Sequence, residues 1–213
     1  MKKIGLLIPK TNLTVEYELQ MLFSKGYFDI GKSVFYISKL DYKTNYEEDK
    51  SKFLEDLATD INNKKKDLKY LDVDYNAFFC TTSALENGVE EINPAISLIE
   101  ESKLRNVKKC LLITPYNDKL GKEIMKMLED NEIEVIKNIN LDLLHTADYF
   151  NYGINKLEKL IKENYLNKYE NIIISCTNLP TISVIERLED RLNTQIISSN
   201  SSLFSKIKRD NNI

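Results

Sequence analysis

"NIIISCTNLP", residues 171–180, sets three isoleucines in a row and stops them at Ser175 and Cys176. A short apolar run bounded by polar residues reads as a strand buried on both faces, the kind found in parallel sheets. The thiol at its end is either core filler or a group that the strand delivers to a site. A second copy favours delivery. "YNAFFCTT", residues 75–82, is another β-rich run, and it too ends in a cysteine, Cys80, followed by threonine.

The surroundings of the two runs repeat as well. "KIGLLI" (3–8) is stopped by Pro9 and followed by a segment with Val15, Leu19, Leu22 and Phe23 on one helical face; Gly26 suits its end. "KCLLIT" (109–114) is stopped by Pro115 and followed by Leu120, Ile124, Met127 and Leu128 at helical spacing. A β-rich segment comes next in each half, "SVFYISKL" (33–40) and a strand near 134–141. Helices near 46–66, with Phe53, Leu54, Leu57 and Ile61 inward, and near 153–166 then lead into the two cysteine strands. Beyond the cysteines, "VEEINPAISLIEE" (89–101) and "QIISSNSSLFSKI" (195–207) each read as an extended piece entering a helix at an asparagine cap, Asn93 or Asn200.

Alternating β and α elements predict parallel sheets with helices on both faces, here as two similar α/β lobes in tandem, 1–106 and 107–213. The helix near 201–209 is expected to pack back on the first lobe. Ligands of parallel sheets gather beyond the carboxyl ends of the strands. Pro9 to Thr14, Cys80 to Ser83, Pro115 to Asp118 and Cys176 to Asn178 all fall at such ends, so lobes that face each other bring both thiols to one cleft.

Composition excludes several classes. The chain has 213 residues, 42% of them hydrophobic, enough for a real core, and a net charge of -3 with no basic field. Neither nucleic acid nor a membrane is expected as a partner, and no signal segment is read at the N-terminus, which points to the cytoplasm. Cys80, Cys110 and Cys176 form no CxxC pair and His145 is the lone histidine, so neither a zinc site nor a Cys/His dyad is expected. Cys110, inside a strand start, reads as a buried hydrophobe, and His145 as an exposed or structural residue. There is no GxGxxG or Walker loop, and no cofactor is expected. Helix-terminus electrostatics favour a thiolate at Cys176, which has hydroxyl and amide neighbours and a following helix.

Four segments then carry a resemblance. "IPKTNLTVE" (8–16), "FCTTSA" (79–84), "LLITPYND" (111–118) and "SCTNLPTISVIERLEDRLNTQIISSN" (175–200) resemble, in order, motifs of the aspartate/glutamate racemase superfamily. The branch is that of maleate cis-trans isomerases and arylmalonate decarboxylases. The resemblance implies two Rossmann-like (flavodoxin-like) lobes related by a pseudo-twofold axis, with a small carboxylic acid bound between them and no metal or cofactor. It implies catalysis by Cys80 and Cys176, with Asn12, Thr81, Thr82, Tyr116, Thr177 and Asn178 binding substrate. It assigns the nucleophile to Cys80, against the helix argument. Two thiols imply an isomerase most like maleate isomerase, acting by addition, rotation and elimination; an amino-acid racemase using the same thiols as acid and base, or a non-catalytic carboxylate-binding protein, is the alternative. The sequence departs from the branch at Tyr149, which stands where an asparagine is usual, and at Lys10, which either meets a carboxylate or points to solvent. A homodimer is the default assembly.

Overall fold

The computed structural model describes residues 1–44, 48–82 and 92–213. Two parallel sheets are built in the same order. In the first, β1 (Lys2–Pro9) lies between β2 (Ser33–Leu40) and β3 (Tyr75–Phe78). In the second, β4 (Lys109–Thr114) lies between β5 (Glu134–Asn140) and β6 (Asn171–Ile174), and β7 (Gln195–Ser198) extends the far side of β6. A parallel bridge from Ala77 to Ile92 is the first lobe's counterpart of β7. The chain is therefore an α/β protein of two parallel sheets with the duplicated strand order that the sequence predicts.

Among the described residues seven α-helices cover these sheets: α1 (Thr14–Ser24), α2 (Lys50–Tyr70), α3 (Pro94–Leu104), α4 (Asp118–Glu129), α5 (Thr146–Asn164), α6 (Ile182–Leu192) and α7 (Ser199–Asn211). The twofold alternation of strand side chains sorts the first core. Ile4, Leu6 and Ile8 face α1 residues Val15 and Leu19, while Leu7 faces α2 through Phe53 and Leu57. Helix α7 belongs to the first of these clusters: Leu203, Phe204 and Ile207 pack with Ile4, Leu6 and Ile8. The C-terminal helix thus packs against the side chains of the first sheet.

One expectation needs correction. Asn200 is not a cap. The cap of α7 is Ser198, whose hydroxyl accepts from Ser201 N while the Ser201 hydroxyl accepts from Ser198 N, a reciprocal capping box. Asn200 sits one residue inside the helix with its side chain turned into the protein. Asn93 does cap α3, accepting from Ala95 N and Ile96 N. Helix α5 is two helical segments joined at Gly153, whose φ of 78 breaks the helix; the stretch read near 153–166 is the segment after the glycine, and a further segment from Thr146 precedes it. The start of the helix read at 46–66 and the extended piece read at 89–91 fall on residues outside the described ones. Among the described residues no helix is long and apolar enough to cross a membrane.

Candidate active site

Strand β3 ends at Phe78 and β6 at Ile174, and each cysteine follows two residues later. Both thiols line one cavity of about 80 Å³, a size for a small organic acid, whose walls come from both sheets. Asn12, Thr81, Thr82, Tyr116, Thr177 and Asn178 line it too, so all eight residues singled out from the sequence meet at one place. Cys110 does not. It is fully buried in the second core, and burial pushes its thiol up to about 12.

The environments of the two thiols differ. Cys176 accepts from Asn178 N at 3.3 Å, from Leu179 N and from the Tyr116 hydroxyl. Those donors favour the thiolate, but complete burial outweighs them and holds the thiol up at about 11. The helix argument from sequence, which favoured a thiolate here, counted the donors and missed the desolvation. Cys80 has its sulfur 3.4 Å from the Thr82 hydroxyl. The charge of a Cys80 thiolate raises both Cys176 and Tyr116.

Thr177 and Asn178 fasten the floor of the cavity. The Thr177 hydroxyl donates to Phe79 O at 3.0 Å and accepts from Asn12 Nδ2 at 3.0 Å. The Asn178 amide donates to Thr11 O and Thr146 O, and its oxygen accepts from Leu13 N, Thr14 N and the Thr14 hydroxyl. Each of these side chains ties a strand end of one sheet to a loop of the other. The Thr81 hydroxyl, by contrast, is buried without a hydrogen-bond partner among the described residues.

Behind the Cys176 loop lies a residue that the sequence reading did not single out. Glu18 is buried on α1 and accepts from Thr181 N at 2.5 Å, Ile182 N at 2.8 Å and Asn200 Nδ2 at 2.6 Å. Asn200 also donates to Thr177 O at 3.0 Å, which connects Glu18 to the residue beside Cys176. Burial raises the Glu18 carboxyl to about 7 against these hydrogen bonds. An acidic residue one turn into an otherwise apolar face was the signal available in the sequence.

Aromatic residues complete the lining. Tyr116 and Tyr149 meet edge to face with centroids 6.0 Å apart, and Tyr42 and Phe53 do so at 4.9 Å. Phe53 was read from sequence only as a core residue of its helix. Tyr42 lies just past the end of β2, a carboxyl strand end like the others. Lys10 is not part of the lining: its ammonium bonds Asp41 and Tyr42 O, each at 2.6 Å. His145 is exposed at the N-cap position of α5. Among the described residues no group of three or more His, Cys, Asp or Glu side chains could hold a metal ion.

The sequence profile of the family described as arylmalonate decarboxylase matches residues 84–210, more than half of the chain. The chain belongs to the arylmalonate decarboxylase family. Within the aspartate/glutamate racemase superfamily it falls in the branch that also holds the maleate isomerases. It is 20% identical to the maleate isomerase of Geobacillus stearothermophilus, over 99% of this chain and 92% of that protein. With the maleate isomerase of Alcaligenes faecalis it shares 25% identity over 92% of this chain and 86% of that one. The maleate isomerase Iso of Pseudomonas putida superposes with a TM-score of 0.85 at 17% identity, covering 100% of this chain and 93% of that one. A mutant of the Nocardia farcinica maleate cis-trans isomerase, carrying a covalently bound succinylcysteine intermediate, gives 0.83 at 15% identity, over 98% of this chain and 91% of that one. Unliganded arylmalonate decarboxylase gives 0.70 at 16% identity, over 98% and 92% of the two chains. These likenesses establish the arylmalonate decarboxylase fold across the whole chain.

Proposed function

We propose that this member of the arylmalonate decarboxylase family is a cofactor-independent isomerase that converts a small cis-unsaturated carboxylic acid to its trans form with two thiols. The observation that carries the reading is the pair Cys80 and Cys176, set at equivalent strand ends on one cavity, with Cys176 held protonated by burial. In this reading the Cys80 sulfur, as thiolate, bonds to one carbon of the double bond. The displaced electron pair moves to the neighbouring carbon, which takes the proton of Cys176. Rotation about the new single bond follows, Cys176 recovers the proton, and breaking the carbon–sulfur bond returns Cys80 and releases the trans acid. No atom is gained or lost. The covalent succinylcysteine in the Nocardia farcinica relative supports such an adduct.

Asn12, Thr81, Thr82 and Tyr116 are assigned to the substrate, its carboxylate resting on the hydroxyl and amide donors; Tyr116 also steadies Cys176. Thr177 and Asn178 line the site and, through their hydrogen bonds, keep its two halves in register. The three free cysteines suit a reducing compartment such as the cytoplasm, and a homodimer is the assembly assigned by default.

The experiment is incubation of the protein in deuterium oxide with cis-enoic acids, including maleate, and with amino acids, followed by NMR. The expected result is a trans product. Exchange of an alpha proton with racemisation would indicate the racemase alternative, and unchanged pools of an acid that binds tightly would indicate a binding protein.

A further inference from the structure

Residues 175–181, which join β6 to α6, form neither strand nor helix and are buried throughout. Backbone polar groups in such a segment need partners, and side chains supply those that a ladder or a helical turn does not. Two of these groups bear on Cys176. Asn178 N lies 3.3 Å from its sulfur, and Leu179 N is a second backbone donor to it. The direction of both N–H groups depends on how the segment is held at its two ends.

Glu18 holds both ends. At the far end one of its oxygens accepts from Thr181 N at 2.5 Å and Ile182 N at 2.8 Å. Thr181 is the N-cap residue of α6 but makes no side-chain cap, so a carboxylate from α1 takes that place, where the helix dipole favours negative charge. At the near end the other oxygen accepts from Asn200 Nδ2 at 2.6 Å, and the same amide nitrogen donates to Thr177 O at 3.0 Å. A peptide group is planar, so the Thr177 carbonyl and the Asn178 N–H are two ends of one rigid unit. The bond that fixes the carbonyl therefore aims the N–H at the Cys176 sulfur. Glu18, Asn200 and Thr177 are all buried, so none of these contacts is shared with bulk solvent. Tyr116 and Cys80, the titratable groups that also act on Cys176, belong to the cavity lining and take no part in this relay.

We propose that Glu18 is a positioning residue for Cys176: through Asn200 and the peptide between Thr177 and Asn178 it keeps an N–H donor on the sulfur that gives the substrate its proton and takes it back. This rests on the isomerase reading above and adds to it a residue that never meets substrate. Each time Cys176 hands over its proton the sulfur becomes a buried thiolate. A donor already aimed at that sulfur stabilises the charge without rearrangement. Hydrogen bonds to the charged form of a buried group favour that form, so losing this donor makes the thiol harder to ionise.

Two variants of the full chain test the relay. Glu18→Gln keeps an oxygen for Thr181 N and Ile182 N, but its NH2 group faces that of Asn200. Asn200 pairs with it only by turning its own oxygen toward it, which leaves Thr177 O without a donor. Asn200→Ala breaks the same bond and keeps the Glu18 carboxyl. Turnover of maleate, or of another cis-enoic acid that the wild type converts, is followed by NMR. In both variants kcat is expected to fall about tenfold with KM within about twofold, because the proton step is impaired and the substrate contacts are not. Alkylation of Cys176 by iodoacetamide, read by mass spectrometry over about pH 8 to 10, is expected to shift to higher pH and to run about threefold slower at a given pH. A segment that was merely loosened would expose the thiol and speed its alkylation, and loss of the Glu18 charge alone would also speed it. Alkylation at or above the wild-type rate in either folded variant, or an unchanged kcat, therefore overturns the proposal; if Asn200→Ala does not fold, Glu18→Gln decides. A wild type that converts no cis-enoic acid overturns the isomerase reading, and the alkylation profiles then decide by themselves whether Glu18 positions the donor.

Discussion

The Thr14 hydroxyl lies 2.8 Å from Asn178 O and 3.1 Å from Asn178 Oδ1, so the first turn of α1 is fastened to the loop that carries Cys176. Leu13 N and Thr14 N bond the same side-chain oxygen. The relationship joins residues 164 positions apart and closes the cleft between the two sheets.

Asn178→Ala removes this acceptor and leaves buried backbone N–H groups unpaired. At about 1–3 kcal/mol for each orphaned group, the expected loss of stability is about 2–4 kcal/mol, read by urea denaturation. Activity should fall with it because the Cys176 loop loses its tie to the other sheet. A stability change under about 0.5 kcal/mol, the scale of an ordinary surface substitution, would contradict the clasp.

Glu18 gives the protein a pH dependence of known sign. Its folded-state value, about 7, lies above the ordinary 4.5, because burial outweighs the four hydrogen bonds to its oxygens. Between those values the folded protein holds a proton that the unfolded chain has released, so stability falls as pH rises through the window and is flat on either side. The effect is on the order of 3 kcal/mol. Glu18→Gln has no proton to lose, so its stability should match wild type at low pH and exceed it by roughly that amount above pH 7. Urea denaturation of both proteins across this range checks the sign; parallel curves would contradict it.

Cys176, held near 11, carries little thiolate at neutral pH. Alkylation by iodoacetamide at about pH 8, followed by mass spectrometry of its peptide, should run about 10²-fold slower than for an unperturbed thiol of pKa near 8.5, and should accelerate about tenfold per pH unit. Tyr116→Phe removes a hydrogen bond that lowers the Cys176 value, so the remaining thiolate should decrease further. Reaction of Cys176 at the rate of a free cysteine would contradict its role as the protonated partner.

Much of this was legible in the sequence because parallel strands buried on both faces announce themselves. "KIGLLI", "KCLLIT" and "NIII" are continuous apolar runs, and the residues at their carboxyl ends had to share a surface once the strands were parallel. That logic was sufficient to bring Asn12, Tyr116, Cys80 and Cys176 together. What it could not reach were properties set by tertiary burial. Thr177 and Asn178 are donors in any local reading, and only the fold shows their hydrogen bonds turned toward Phe79, Thr11 and Thr146. Cys176 had the donors of a thiolate site, and only its depth reveals the desolvation that overrides them. Asn200 has the chemistry of a cap, but Ser198 holds that place and leaves Asn200 to bond Glu18, a residue 182 positions away. Phe53 carried the helical spacing of a core residue, which it is, and also faces the cavity.

The two-thiol mechanism is tested most directly by trapping. Cys176→Ser removes the group that takes the proton back from carbon before the carbon–sulfur bond breaks, and general acid–base groups typically contribute about 10²–10⁴-fold to rate, so the covalent state should outlive a mixing experiment. The variant is incubated with cis-enoic acids, including maleate, quenched and digested, and the cysteine peptides are weighed. The expected result is a mass increase equal to one acid molecule on the Cys80 peptide, absent from Cys80→Ala. An unmodified Cys80 in a Cys176→Ser protein that still isomerises one of these acids would contradict the mechanism.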